Sequence, residues 1–169
     1  MTQVRGKLFL LPSPIHDEGL EGITEDAIRV LHRLDYFIVE RARTARRFIS
    51  ATHPSKAIES LHITEIPEGE ISAQEIQDAM KPLLAGHDVG ILSEAGLPAI
   101  ADPGNRYVAL AHQMDIEVIP LSGPSSIFLA LMASGLEGQR FAFHGYLSAK
   151  KDELKKQLNE LEQRADRDK

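Results

Sequence analysis

Residues 88–105 read DVGILSEAGLPAIADPGN, and this stretch decides the fold. Its first six residues, Asp88–Ser93, form a short apolar run that is typical of a buried β-strand. The run ends in a loop rich in glycine and proline, and helical spacing resumes from about Asn105 to Met114. A strand, a loop and a helix in this order form the repeating unit of a parallel α/β sheet.

The same alternation continues on both sides of this stretch. The clearest helix begins at a capping box formed by Ser72 and Glu75 and ends at Gly86. Other helices are predicted to begin at Thr24, near Thr44, after SGPSS and, as a charged amphipathic tail, at Lys150. Further strands are predicted at Lys7–Leu11, Tyr36–Glu40, Leu61–Ile66, Ile116–Leu121 and Arg140–Leu147. We therefore predict an α/β fold with a mostly parallel sheet.

The composition is that of a globular protein with a hydrophobic core. Of the 169 residues, 43% are hydrophobic and 26% are charged, and the net charge is -6. This acidic balance excludes a non-specific nucleic-acid binder, although a local basic patch can still hold an anionic substrate. The chain has no cysteine, which excludes thiolate chemistry and fits a cytoplasmic location. No apolar run approaches the roughly 20 residues that span a bilayer, so no membrane partner is expected.

Two loops at strand ends have the composition of a ligand site. They are Ser93–Asn105 and Pro120–Ser126, and each follows a predicted strand. In open α/β folds, ligands bind beyond the carboxyl ends of the strands. Glycines such as Gly96, Gly104 and Gly123 let backbone amides approach a ligand closely. The alternative is that glycine and proline only terminate the strands, as they do in most turns.

Several common functional motifs are absent from the sequence. It contains no G-x-G, which excludes both the Rossmann dinucleotide loop and the glycine-rich loop of the common methyltransferase fold. It also lacks the phosphate-binding loop and the nucleophile-elbow motif. The seven histidines have no ligand spacing, so no metal site is predicted.

Five motifs together resemble the tetrapyrrole-methylase superfamily. They are LPSPI, VERAR, ILSEAGLPAIADPG, IPLSGPSS and FAFHGYL, and they occur in the family's order from Lys7 to about Lys151. The combination of SEAGLPAIADPG with SGPSS is the specific part of this resemblance. Within the superfamily, the sequence is most similar to the branch that contains the small-subunit ribosomal RNA cytidine 2'-O-methyltransferase.

The resemblance implies a methyltransferase that uses S-adenosylmethionine and releases S-adenosylhomocysteine. In this family two α/β domains meet at a cleft, and the active form is a homodimer. The domains are expected at residues 1–120 and 121–169, with the second one truncated, because relatives continue for several strands after Lys150. The implied cofactor-binding residues are Pro14, Glu94, Ala95, Gly96, Ile100, Asp102, Gly123, Ser125 and Ser126.

The sequence departs from the family pattern after the second predicted strand. Relatives usually have an acidic pair followed by Thr-Arg, whereas this chain has Glu40-Arg41-Ala42-Arg43, so Glu40 matches and the second acid is lost. Glu40 is the candidate general base, and its alternative role is a surface ion pair with Arg43 or Arg47. The basic cluster Arg41, Arg43, Arg46 and Arg47 either binds RNA phosphates or tetrapyrrole carboxylates, or is a solvated helix face.

Three functions remain open from the sequence. The first is methylation of a ribose hydroxyl in ribosomal RNA, and the second is methylation of a tetrapyrrole or another small molecule. The third is a non-catalytic binding or interaction module that kept the cofactor loops. The lost acid beside Glu40 and the short C-terminus favour this third function modestly.

Overall fold

The computed structural model describes residues 4–16 and 19–167. These residues form two compact units, the first ending at Ala133 and the second beginning at Ser134. The domain boundary predicted between residues 120 and 121 stays a prediction.

The first unit contains a five-stranded parallel sheet. Its strands are β1 (Leu8–Leu11), β2 (Tyr36–Val39), β3 (His62–Glu65), β4 (Val89–Leu92) and β5 (Val118–Pro120). Their order in the sheet is β3-β2-β4-β1-β5, and every pairing is parallel. All four residues of β4 are buried, because helices cover both faces of a parallel sheet. The parallel α/β fold predicted from the sequence is confirmed.

In the described part of the chain, seven α-helices connect or follow the strands. They are α1 (Glu25–Arg33), α2 (Ala42–Ala51), α3 (Ala73–Ala79), α4 (Lys81–Leu84), α5 (Gly104–Gln113), α6 (Ser126–Ser134) and α7 (Lys151–Arg167), with a 3-10 turn at Ile58–Ser60. Thr24 caps α1 and the capping box of Ser72 and Glu75 begins α3, both as predicted. The single helix predicted from Ser72 to Gly86 is divided into α3 and α4. Pro82 lies at this break, because a proline ring clashes with the carbonyl four residues earlier.

The strand predicted at Arg140–Leu147 is wrong. The structure has no strand in this segment, although its apolar residues alternate as they would in one. A strand is stable only when neighbouring strands accept and donate its backbone hydrogen bonds, and no described strand pairs with this segment. Phe141 and Phe143 are each 49% exposed, so the alternation does not bury one face here.

The core of the first unit has one layer on each face of the sheet. On one face Leu8, Ile38 and Ile91 pack with residues of the helices α3 to α5. On the other face Phe9 and Phe37 pack with residues of α1 and α2. No described helix is long and apolar enough to cross a membrane. This three-layer arrangement leaves the carboxyl ends of the strands, and the loops that follow them, at one edge.

Candidate functional site

The loops after β1 and β4 bind each other at the carboxyl edge of the sheet. The Ser13 backbone amide donates to the Gly96 carbonyl at 2.8 Å, and the Gly96 amide donates to the Ser13 carbonyl at 3.1 Å. The buried Ser13 hydroxyl also donates to the Ser93 carbonyl at 2.9 Å. The loops meet because β1 and β4 are neighbours in the sheet.

The loop after β5 packs against the same pair of loops. A Cβ atom on Gly123 would lie 2.1 Å from Pro12 Cβ, so only glycine fits at this contact. A Cβ atom on Gly96 would lie 3.6 Å from the Pro124 carbonyl oxygen. The structure therefore brings together the two loops that the sequence marked as a ligand site, with the loop after β1 beside them.

The loop after β4 has a strained backbone that Asp102 holds in place. Gly96, Ala99 and Ala101 have positive φ angles of 73°, 67° and 59°. This conformation costs a residue with a side chain roughly 1–2 kcal/mol. The Asp102 Oδ1 atom accepts hydrogen bonds from the Ala99 amide at 3.0 Å and the Gly104 amide at 2.7 Å. These two bonds offset part of the strain and fix the shape of the loop.

The second oxygen of Asp102 is not used by the loop. Oδ2 is buried and has no hydrogen-bond partner among the described residues. Burial raises the pKa of Asp102, the two amide bonds oppose this rise, and the negative charge of Glu40 adds to it. Buried polar atoms are usually satisfied, so this oxygen is suited to accept from a hydroxyl or an amine.

Glu40 lies at the end of β2 and its carboxylate binds the loop after β4. Its Oε2 atom accepts a hydrogen bond from the Glu94 backbone amide at 2.9 Å. The Glu94 side chain in turn accepts a long bond, 3.4 Å, from the hydroxyl of Thr44 on α2. Glu40 thus fixes the start of the loop, and its role as a general base stays a prediction.

The four predicted basic residues differ in their surroundings, although Arg43, Arg46 and Arg47 share one face of α2. Arg41 makes an ion pair with Glu68 at 2.5 Å, and the hydrogen bond in this pair raises the pKa of Arg41. Arg43 and Arg46 are exposed on α2. Arg47, one position further along, lines a cavity beside the loops.

This cavity has a volume of about 420 Å³ and lies between α2 and the loops after β1 and β4. The loops contribute Pro14, Glu94 and Ala95 from the predicted set, and α2 contributes Thr44, Ala45, Arg47, Phe48 and Ala51. Of these α2 residues only Arg47 belongs to the predicted set, and the other four were missed because the arginines alone suggested a function for this helix. The spacing of Thr44, Phe48 and Ala51 at intervals of four and three residues is the signal that marks this common face.

The remaining predicted residues lie outside the lining of the cavity. Ile100 is 43% exposed, and Asp102 and Gly123 hold the loops as described above. Ser126 is the first residue of α6, and the Ser125 carbonyl accepts from the Leu129 amide at 3.0 Å. Among the residues described, no group of three or more His, Cys, Asp or Glu side chains is placed to hold a metal ion.

Comparisons with known proteins identify relatives of this chain by sequence. A family model described as Tetrapyrrole (Corrin/Porphyrin) Methylases matches residues 18–168. Curated relatives named "Ribosomal RNA small subunit methyltransferase I" include one from Vibrio cholerae, 34% identical over 91% of this chain and 51% of its own length. Another from Bacillus subtilis is 33% identical over 94% of this chain and 52% of its own length. The chain thus spans about half the length of the curated relatives it matches.

Solved structures show the same fold. Uroporphyrin-III-C-methyltransferase from Thermus thermophilus matches with a TM-score of 0.50 and 23% identity, over 79% of this chain and 55% of that one. A conserved hypothetical protein from Aeropyrum pernix K1 matches with a TM-score of 0.55 and 17% identity, over 82% of this chain and 46% of that one. At these identities the likeness concerns the fold alone.

Proposed function

Because the chain belongs to the tetrapyrrole methylase family, we propose that it binds S-adenosylmethionine and takes part in methylation of a ribose hydroxyl in ribosomal RNA. Cofactor binding is supported by the way the loops after β1, β4 and β5 converge. Close contacts at Gly96 and Gly123 hold these loops together. The RNA acceptor is supported by the names of the curated relatives.

The residues at this edge fit the proposed cofactor. A nucleoside with a positive sulfonium centre needs close approach to the backbone, hydrogen-bond acceptors and negative charge nearby. The glycine turns allow close approach to the backbone, and the unpartnered Asp102 Oδ2 is a hydrogen-bond acceptor. The carboxylates of Glu40 and Glu94 supply the negative charge. Pro14, Ala95, Ile100, Ser125 and Ser126 are proposed to complete the binding surface.

S-adenosylmethionine supplies an electrophilic methyl group when it is bound. The chain has to hold an acceptor oxygen about 3 Å from that carbon and in line with the bond that breaks, since alignment is the main source of rate in such displacements. Rigid loops serve this purpose. The loop after β4 is kept rigid by the hydrogen bonds that its backbone amides donate to the carboxylates of Glu40 and Asp102. Arg43, Arg46 and Arg47 on α2 are proposed to meet RNA phosphates.

We also propose a homodimer, a cytoplasmic location and a domain boundary between residues 120 and 121. These three statements are supported by the resemblance to the family and by the absence of cysteine from the sequence.

Calorimetry with S-adenosylmethionine and S-adenosylhomocysteine tests the proposal. We compare the parent chain with Gly123→Val, whose side chain would displace Pro12 and separate the loops. The control is Gly138→Val, because a Cβ atom on Gly138 would meet nothing within 4 Å. We expect binding by the parent and the control, and at least a tenfold loss in Gly123→Val.

Circular dichroism identifies a Gly123→Val variant that has unfolded. In that event Asp102→Asn, which replaces an acceptor oxygen by an amide donor, takes its place. A parent chain that binds neither compound contradicts the proposal.

A further inference from the structure

The cavity beside α2 is not explained by the cofactor loops alone. Its volume of about 420 Å³ is near the lower end of the roughly 300–1,000 Å³ typical of ligand pockets, so it suits one small group rather than two reactants. Of the predicted cofactor-binding residues, only Pro14, Glu94 and Ala95 line it. The proposed cofactor surface therefore extends away from the cavity and touches it at one wall.

The opposite wall has the features of a site for a nucleoside. Phe48, which is 8% exposed, lines this wall together with the small side chains of Ala45 and Ala51, and the three make the wall apolar. Arg47 supplies a positive charge on the same wall. A flat base bound to a sugar phosphate needs both an apolar slot and a cation beside it.

Glu94 belongs to the wall formed by the loops, and its carboxylate reaches Thr44 on the opposite wall. It is the only acidic residue among the described residues that line the cavity. Its backbone amide is held by Glu40 and its carboxylate by the Thr44 hydroxyl. A methyl acceptor has to lie next to the cofactor, and Glu94 belongs both to the loop proposed to bind the cofactor and to the cavity wall.

We propose that the cavity receives one unstacked nucleoside of the RNA acceptor and that Glu94, not Glu40, is the carboxylate that meets its ribose hydroxyl. This inference rests on the proposed function and deepens it. In the transfer, the ribose oxygen forms a bond to the methyl carbon while the bond from that carbon to sulfur breaks. The hydroxyl proton passes to the Glu94 carboxylate, and the sulfonium becomes the neutral thioether. Glu40 is then a positioning residue.

The first experiment fills the cavity. Ala51→Phe places a ring in the space from the end of α2, and Ser50→Phe is the matched control because Ser50 is exposed and does not line the cavity. The readouts are fluorescence anisotropy with a labelled single-stranded fragment of small-subunit ribosomal RNA, and calorimetry with S-adenosylhomocysteine. We expect Ala51→Phe to weaken RNA binding about tenfold, as when one base loses its stacking surface. The affinity for S-adenosylhomocysteine should stay unchanged.

Other results of this experiment overturn the assignment. If Ala51→Phe weakens the binding of S-adenosylhomocysteine and leaves RNA binding unchanged, the cavity is part of the cofactor site. If it weakens neither ligand, the cavity takes no part in the reaction. Circular dichroism of the Ser50→Phe and Ala51→Phe chains shows whether each has kept the helix content of the parent.

The second experiment tests Glu94. We compare Glu94→Gln with Glu94→Asp in single-turnover transfer of labelled methyl to the same RNA across a range of pH, and measure RNA affinity in parallel. A base contributes roughly 10²–10⁴-fold, so Glu94→Gln should lose at least 100-fold while Glu94→Asp retains much of the activity and its pH dependence. Unchanged transfer by Glu94→Gln refutes the role of Glu94. A parent chain without transfer refutes the proposed function instead, and the cavity is still tested by RNA binding.

Discussion

Replacing Asp102 by alanine removes the clamp on the loop after β4. The Ala99 and Gly104 amides, at 3.0 and 2.7 Å from Oδ1, both lose their acceptor. A partly buried amide without a partner costs about 1–3 kcal/mol, and at least one of the two can recover a bond to water. We therefore expect Asp102→Ala to lower the free energy of unfolding by about 2–4 kcal/mol, since the strained φ angles of Ala99 and Ala101 also lose their restraint.

The same substitution has a predictable pH dependence. Burial raises the pKa of Asp102 in the folded chain above its unfolded value, so the folded state binds more protons over the interval between the two values. The contribution of this group is most favourable below the unfolded pKa and is lost as the pH rises through the folded pKa. The difference in stability between the parent and Asp102→Ala should therefore be larger at the acidic end of that interval than at pH 7.

Urea denaturation followed by circular dichroism measures both effects. Asn105→Ala is the control, because Asn105 is exposed on the first turn of α5 and the same helix is retained. A change below about 1 kcal/mol in Asp102→Ala would refute the clamp, since one unsatisfied buried amide already costs that much. A difference that grows with pH would refute the sign of the pKa shift.

Two further predictions concern the framework around the site. Gly90→Ala should lower the free energy of unfolding by about 1–3 kcal/mol, because the new Cβ atom would lie 2.6 Å from Leu11 Cδ1. Urea denaturation measures this change, and the slope of the unfolding free energy against urea concentration should stay the same. The capping bonds from Ser72 lower the pKa of Glu75, so NMR titration should place it below its ordinary value, and Ser72→Ala should move it upward. The stabilisation from these bonds is present above the ordinary pKa of glutamate and is lost as the pH falls through the lowered value. Equal pKa values for Glu75 in the parent and in Ser72→Ala would contradict this account.

The sequence allowed most of the secondary structure of the first unit to be predicted because β1, β2 and β4 are apolar runs bounded by turn residues. The capping residues Thr24 and Ser72 were predictable for the same local reason. The order of the strands was not predictable, because the pattern does not record which strands become neighbours. The meeting of Ser13 with Gly96 depends on that order and became visible only in the structure.

The errors have physical causes of the same kind. The alternating residues of Arg140–Leu147 predicted a strand, but no described strand offers the hydrogen bonds that it needs. The α2 side of the cavity was missed because a helix carrying several arginines was interpreted by its charge rather than by its small and aromatic face. The role of Asp102 as an acceptor for two amides depends on loop geometry that a linear pattern does not contain.

The position of β1 between β4 and β5 has a consequence for synthesis on the ribosome. The register pairs Leu8 with both Val89 and Val118, so β1, which precedes both strands in the chain, has to wait for both of its neighbours. At synthesis rates of roughly 5–20 residues per second, this delay is on the order of ten seconds. Until β4 and then β5 have been made, the nascent segment exposes apolar edges without strand partners, and such edges favour aggregation.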